Sequence, residues 1–140
     1  MFRRILFAHN GTPAAERALI YLEHLARQES AEVIVLHVYQ PPDRYLATSG
    51  YAALVAELEA VASEVVNDTV QFLQRGGVSA IGMVEAGDSP ARVILETATD
   101  EDVSLIVLGT RGPSKVADIL LGDVSTEVLR NAHCPVFLVP

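Results

Sequence analysis

The chain has 140 residues, half of them hydrophobic, which is enough for one domain spanning residues 1–140 with a full core. Its formal net charge of -8 argues against a nucleic-acid partner, because the phosphates would be repelled. A single cysteine cannot form an internal disulfide and fits a reducing cytoplasm. The short apolar run near the start predicts neither a signal peptide nor a membrane partner.

The first third of the chain predicts two buried strands joined by a helix. Residues 5–8 form a short apolar run of the kind found inside parallel sheets. Thr12 followed by Pro13 is a helix-start signal, with an N-cap residue and proline at the first helical position. Apolar residues then recur at helical spacing, and residues 33–38 predict a second strand that ends before two prolines.

The remaining segments continue the alternation of helices and strands. They predict a long amphipathic helix whose apolar residues run from 54 to 73 and which ends at Gly76-Gly77, then a weaker strand over 78–84 and a helix that opens at Ser89-Pro90. A strand over 105–108, a helix after Gly122 and a strand over 136–139 follow. The fold class is therefore α/β, a doubly wound five-stranded parallel sheet with helices on both faces. Right-handed crossovers predict the strand order 3-2-1-4-5, with a ligand site between the first and fourth strands.

The stretch after the fourth strand is rich in glycine and carries the main functional signal. Gly109, Gly112 and Gly122 stand before a segment that opens as a helix with Asp123, Ser125 and Thr126. Glycines allow backbone to turn sharply or to approach a ligand closely, and a helix N-terminus favours anions. The turn after the first strand, at Asn10–Thr12, converges on the same place in the predicted topology.

This pattern resembles the ATP-binding branch of the universal stress protein family. The spacing of Gly109, Gly112 and Gly122 fits that branch, which has two and then nine residues between its glycines. The opening strand and turn at residues 5–12, the second strand end at 36–38 and Cys134-Pro135-Val136 are also similar to the family, so the match covers essentially the whole chain.

The resemblance implies a Rossmann-like domain that binds ATP, or AMP or ADP, with Mg²⁺ accompanying the nucleotide. In this interpretation Leu108 and Gly109 border the ribose, Val38 offers backbone to the adenine, and Gly112 and Gly122 approach the phosphates. The full set of implied nucleotide-binding residues is Ala8, His9, Asn10, Thr12, Val38, Leu108, Gly109, Arg111, Gly112, Gly122, Asp123, Val124 and Ser125.

Two of these residues depart from the family pattern. Asn10 stands where the family usually has an aspartate that accepts from ribose; it can contact a ribose or simply hold a turn beside Gly11. Asp123 replaces a Ser or Thr that would donate to phosphate. Its carboxylate either contacts the phosphates through Mg²⁺, as a metal ligand, or only caps the last helix.

No catalytic group of residues is evident, so the main interpretation is a binding module and not an enzyme, with slow ATP hydrolysis left open. The resemblance implies a cytoplasmic regulator of the stress response that forms a homodimer through its C-terminal strand. The alternative is a nucleotide-free family member that acts through dimerisation and protein contacts only. A phosphoacceptor receiver domain ranks below both, because His9 and Asn10 stand where it needs acidic residues.

Overall fold

The computed structural model of the chain describes residues 1–110 and 122–140. In these residues, five parallel strands form one sheet in the order β3-β2-β1-β4-β5, which confirms the predicted order. The strands are β1 (Arg4–Ala8), β2 (Glu32–Tyr39), β3 (Ser79–Ala86), β4 (Leu105–Gly109) and β5 (Val136–Val139). The helices are α1 (Pro13–Glu29), α2 (Tyr51–Arg75), α3 (Pro90–Asp100) and α4 (Asp123–Asn131), with a short 3₁₀ turn at Asp43–Tyr45.

The sheet is covered on both faces, which explains why its central strands are apolar throughout. Ile5 and Phe7 of β1 pack with α1 and α2, whereas Leu6 between them packs with α3 and α4. All three side chains have no exposed surface. Because successive strand residues point to opposite faces, a strand buried on both sides shows no polar alternation.

Two helices begin where local sequence signals predict. Thr12 is the N-cap of α1, and its Oγ1 accepts a hydrogen bond from the Ala15 N–H at 3.3 Å. Ser89 is the N-cap of α3, and its Oγ accepts from the Arg92 N–H at 3.3 Å. Each cap is followed by proline, whose missing N–H costs nothing at the first helical position.

Among the strands, β3 is the one whose predicted bounds differ most from the structure. It extends to Ala86, two residues beyond the predicted end, because β2 is long enough to pair with it up to Tyr39. The apolar pattern is lost at Glu85, which is exposed at the sheet edge.

No helix among the described residues is both long enough and apolar enough to cross a membrane.

Candidate functional site

A cavity of about 520 Å³ opens at the carboxyl ends of β1, β2 and β4, on the face of the sheet that α3 and α4 cover. It lies at the point where the strand order reverses between β1 and β4, as the topology predicts. Its apolar lining residues are Ala8, Leu36, Val38, Pro90, Ala91, Ile94, Leu108 and Val124. Its polar lining residues are His9, Asn10, Gln40, Asp88, Ser89, Asp123, Ser125 and Glu127, with Gly109 and Gly122 contributing backbone.

Most of the residues implied by the sequence come together around this cavity. Those that line it are Ala8, His9, Asn10, Val38, Leu108, Gly109, Gly122, Asp123, Val124 and Ser125. Thr12 is not among the lining residues, since its hydroxyl caps α1. Arg111 and Gly112 lie outside the described residues.

Asn10 has a structural role in the turn after β1. Its Oδ1 accepts hydrogen bonds from the Thr12 N–H at 3.1 Å and from the Thr12 hydroxyl at 2.6 Å. The backbone N–H can only donate, so the oxygen of the amide must face Thr12. The amide nitrogen of Asn10, at the cavity wall, is thus left with donor capacity for a ligand acceptor.

His9 connects this turn to helix α1. Its ring is 1% exposed, and Nδ1 accepts a hydrogen bond from the Gly11 N–H at 2.9 Å. The other ring nitrogen, Nε2, lies 2.9 Å from Oε1 of Glu16. Burial lowers the pKa of His9 below its ordinary 6.5; the Glu16 carboxylate opposes this effect and His37 adds to it. His9 is therefore neutral at pH 7.

The first turn of α4 forms another wall of the cavity. Gly122 is the N-cap residue, and no side chain caps this helix end among the described residues. The interpretation of Asp123 as the cap is wrong, because Asp123 is one residue inside the helix and a cap acceptor must precede it. Ser125 is 5% exposed, and no described residue hydrogen-bonds its hydroxyl.

Gly109 also has a packing role that its position in the glycine pattern does not indicate. A Cβ at Gly109 would lie 2.5 Å from the carbonyl carbon of Ala14 and from the nitrogen of Ala15. Both atoms belong to the backbone of α1, on the opposite face of the sheet from α3 and α4. The absence of a side chain at Gly109 therefore lets α1 approach β4, while its backbone lines the cavity.

Sequence reasoning missed the contribution of α3 to the site. Asp88 and Ser89 precede α3 and line the cavity, and Gln40 links them to β2 by donating from Nε2 to the Asp88 carbonyl at 2.8 Å. The helix-start signal at Ser89-Pro90 was visible, and a parallel topology places such starts at the carboxyl edge of the sheet. That signal was sufficient to predict this wall.

Cys134 and the histidines other than His9 form no cluster of metal ligands among the described residues. No group of three or more metal-ligating side chains occurs among residues 1–110 and 122–140. Burial raises the pKa of the Cys134 thiol, which keeps it protonated and unreactive at neutral pH. Cys134 and His133 lie at a smaller cavity of about 210 Å³, before β5 begins. His24 is exposed, as predicted for a helix surface.

Two solved structures of nucleotide complexes have the same fold. One is a universal stress protein in complex with cAMP, with a TM-score of 0.71, 22% identity and coverage of 99% of this chain and 96% of the other. The second is the universal stress protein of Archaeoglobus fulgidus in complex with dAMP, with a TM-score of 0.69, 20% identity and coverage of 100% and 98%. At these identities the likeness concerns the fold.

Sequence and structure comparisons agree on a single family. A universal stress protein of Thermus aquaticus is 36% identical over 140 residues, covering 99% of each chain. The structure of MJ0577, a universal stress protein of Methanocaldococcus jannaschii, superposes with a TM-score of 0.87 at 27% identity, covering 99% of this chain and 96% of the other. The model of the universal stress protein family matches residues 1–140, and the chain therefore belongs to that family.

Proposed function

We propose that this universal stress protein binds an adenine nucleotide in the cavity between β1 and β4 and acts as a nucleotide-dependent regulator of the stress response in the cytoplasm. The observation that carries the proposal is the cavity itself, which joins an apolar lining to a helix N-terminus that no side chain caps among the described residues. The nucleotide is ATP, with AMP and ADP as close alternatives. The role is binding, and no catalytic residue is assigned.

The cavity suits a nucleoside in size and lining. Ligand pockets typically measure about 300–1,000 Å³ and are mostly apolar with a few polar groups that set orientation. A volume of about 520 Å³ falls in this range. Val38, Leu108 and Ile94 offer apolar contact to a base, and Asn10 offers an amide donor to a ribose oxygen.

The first turn of α4 suits the phosphates. The N–H groups of a first helical turn have no partner within the helix, and the helix dipole favours an anion there. The Ser125 hydroxyl, at the same end of the cavity, can donate to a phosphate oxygen. Arg111 and Gly112 are proposed as further contacts of the phosphates.

Three carboxylates at the cavity are the reason that the proposal includes a metal ion. Asp88, Asp123 and Glu127 line the site, and each would repel an uncompensated phosphate. Mg²⁺ binds through one or two carboxylates together with substrate phosphates, so Asp123 is the proposed protein ligand of a nucleotide-bound Mg²⁺. When bound, that ion supplies the positive charge that lets carboxylate and phosphate lie close together.

Solved relatives support the adenine assignment. Two family members of the same fold have been determined with cAMP and with dAMP, which share the adenine base. The support is at the level of the fold, and the residues named above carry the assignment to this chain.

A family member without nucleotide is the second candidate, because Asn10 and Asp123 differ from the nucleotide-binding pattern. The amide oxygen of Asn10 is already engaged by Thr12 and is not available to accept from a ribose hydroxyl. In that case the chain would act through dimerisation and protein contacts only.

A thermal-shift titration with MgATP, ADP and AMP distinguishes the two candidates. A ligand at 100 times its Kd stabilises the native state by about 2.7 kcal/mol. For 140 residues this corresponds to a rise in Tm of about 9 °C. Ser125→Ala is the site variant and Ser104→Ala, at the other end of β4, is its control. An unchanged Tm with all nucleotides, and no nucleotide released from the purified protein by mass spectrometry, would leave the nucleotide-free candidate.

We also propose that the protein forms a homodimer through β5. This strand is at the edge of the sheet, and Phe137 is 39% exposed beside the ring of Tyr21 at 6.2 Å. An apolar edge strand is open to pairing with a second chain, and a symmetric partner would cover it.

A further inference from the structure

The tautomer of His9 follows from its two hydrogen bonds. Nδ1 accepts from the Gly11 N–H, which can only donate, so Nδ1 carries no proton. Nε2 faces the Glu16 carboxylate, which can only accept, so Nε2 carries the proton. The ring is the neutral Nε2–H form, inserted between the turn after β1 and helix α1.

This ring supports the turn that borders the cavity. Gly11 has a φ of +80°, a left-handed conformation, and its N–H is held by the His9 ring. The next residue, Thr12, is held by Asn10 and caps α1. The position of the Asn10 amide at the cavity wall therefore depends on the His9–Gly11 hydrogen bond.

We propose that His9 is a positioning residue that makes the site sensitive to pH: its neutral ring holds the Asn10–Thr12 turn in place, and protonation of Nδ1 releases that turn and weakens ligand binding. The clause on ligand binding rests on the proposed nucleotide function, whereas the clause on the turn does not.

Protonation changes one specific contact. A proton from solvent takes the Nδ1 lone pair that accepted from Gly11, so that two N–H donors then face each other across 2.9 Å. The backbone must move to relieve this contact, because a buried imidazolium requires an acceptor at each nitrogen. Glycine at position 11 has the conformational freedom to make that movement.

The charged groups around His9 act in both directions. From α1, Glu16 favours the imidazolium; from β2, His37 donates from Nδ1 to the His9 carbonyl at 2.7 Å and opposes a second positive charge when protonated. From β4, Leu108 and Gly109 carry no charge. The carboxylates of Asp88, Asp123 and Glu127 line the same cavity, but the charged groups that shift the pKa of His9 are Glu16 and His37. Burial outweighs the effect of Glu16 and lowers the pKa of His9.

The test is a titration from pH 8 to pH 5 followed by NMR without ligand. We expect ¹⁵N shifts of an Nε2–H tautomer for His9 at pH 8. The amide signals of Gly11 and Thr12 should move together with the His9 ring as it gains a proton below pH 6.5. A proton on Nδ1 at pH 8, or a Gly11 amide that does not respond when His9 titrates, would overturn the proposal.

Variants separate His9 from the other histidines. His9→Asn places an amide oxygen near the position of Nδ1 and cannot titrate, so the Gly11 amide should become insensitive to pH. His37→Asn keeps a donor to the His9 carbonyl and should retain the response, as should His24→Gln on the exposed face of α1. A response that survives in His9→Asn would contradict the assignment.

Calorimetric titration with MgATP at each pH tests whether protonation of His9 weakens ligand binding. One linked proton lowers affinity by up to about tenfold per pH unit below the pKa of His9. The phosphates titrate near pH 6 themselves, so affinity is expressed as the ratio of wild type to His9→Asn. A constant ratio from pH 8 to pH 5 refutes the ligand clause. Absence of nucleotide binding at every pH refutes the proposed function, and the NMR titration alone then decides the role of His9 in the turn.

Discussion

Gly109→Ala is expected to destabilise the fold by separating α1 from the sheet. The added Cβ would lie 2.5 Å from two backbone atoms of Ala14 and Ala15, and 2.7 Å from the Ala14 carbonyl oxygen. Carbon atoms in good contact are about 3.5–4.0 Å apart, so the first turn of α1 must move by about 1 Å. No rotamer change can relieve the contact, because all three atoms are backbone.

The magnitude follows from the kind of atoms in contact. Overpacking a core typically costs about 1–3 kcal/mol, and a clash with backbone on a buried strand belongs at the upper end. Unfolding entropy is about 2.1 cal/mol/K per residue, or about 0.3 kcal/mol/K for 140 residues. A loss of about 3 kcal/mol therefore lowers Tm by about 10 °C.

Thermal unfolding followed by circular dichroism measures this loss, with Gly77→Ala as the control. Gly77 has a φ of +83° and no atom within 4 Å of the position of a Cβ, so its variant has conformational strain but no clash. That strain costs about 1–2 kcal/mol, which lowers Tm by about 3–7 °C. A Gly109→Ala protein with wild-type Tm that had lost only nucleotide binding would refute the packing argument and assign this glycine to the ligand.

Further predictions concern the ligand, the oligomer and pH. Gly112→Val should abolish nucleotide binding in a folded protein, because the phosphate contact proposed for this glycine leaves no room for a side chain; unchanged affinity by calorimetry contradicts this. Asp123→Ser should tighten ATP binding in EDTA and change it less with Mg²⁺; since Asp123 is exposed, screening keeps the gain in binding free energy below the roughly 4 kcal/mol of two charges 4 Å apart. Equal affinities of wild type and Asp123→Ser in EDTA would show that Asp123 does not face the phosphates. Light scattering at micromolar concentration should give a dimeric mass, and Phe137→Lys should give a monomer; a monomeric wild type counts against the β5 interface. Stability should fall as the pH drops below 6.5, because the unfolded chain protonates His9 more readily than the folded one, and His9→Asn should flatten this dependence in denaturant titrations.

Local sequence signals were sufficient for the elements and their order. Thr12 and Ser89 act as N-caps because their hydroxyls reach backbone N–H groups only three residues ahead. The apolar run of β1 reflects burial on both faces, and right-handed crossovers then allow few strand orders. The location of the cavity follows from that order, which is why the residues after β1 and β4 could be named from sequence.

Contacts between distant segments were decided only by the tertiary structure. Gly109 packs against the backbone of Ala14 in α1, and Gln40 hydrogen-bonds to the Asp88 carbonyl. The residues of each pair are far apart in sequence, and no periodic sequence pattern predicts these contacts. Contacts between residues close in sequence also depended on the folded geometry. The fold determines which N–H groups donate to Asn10 and His9, and it makes Asp123 the first residue of α4 and not its cap. The pattern of residue types determines which segments form and where they lie in the sheet. Hydrogen-bond partners and close approaches depend on distances of a few tenths of an ångström, which are set when the helices pack on the sheet.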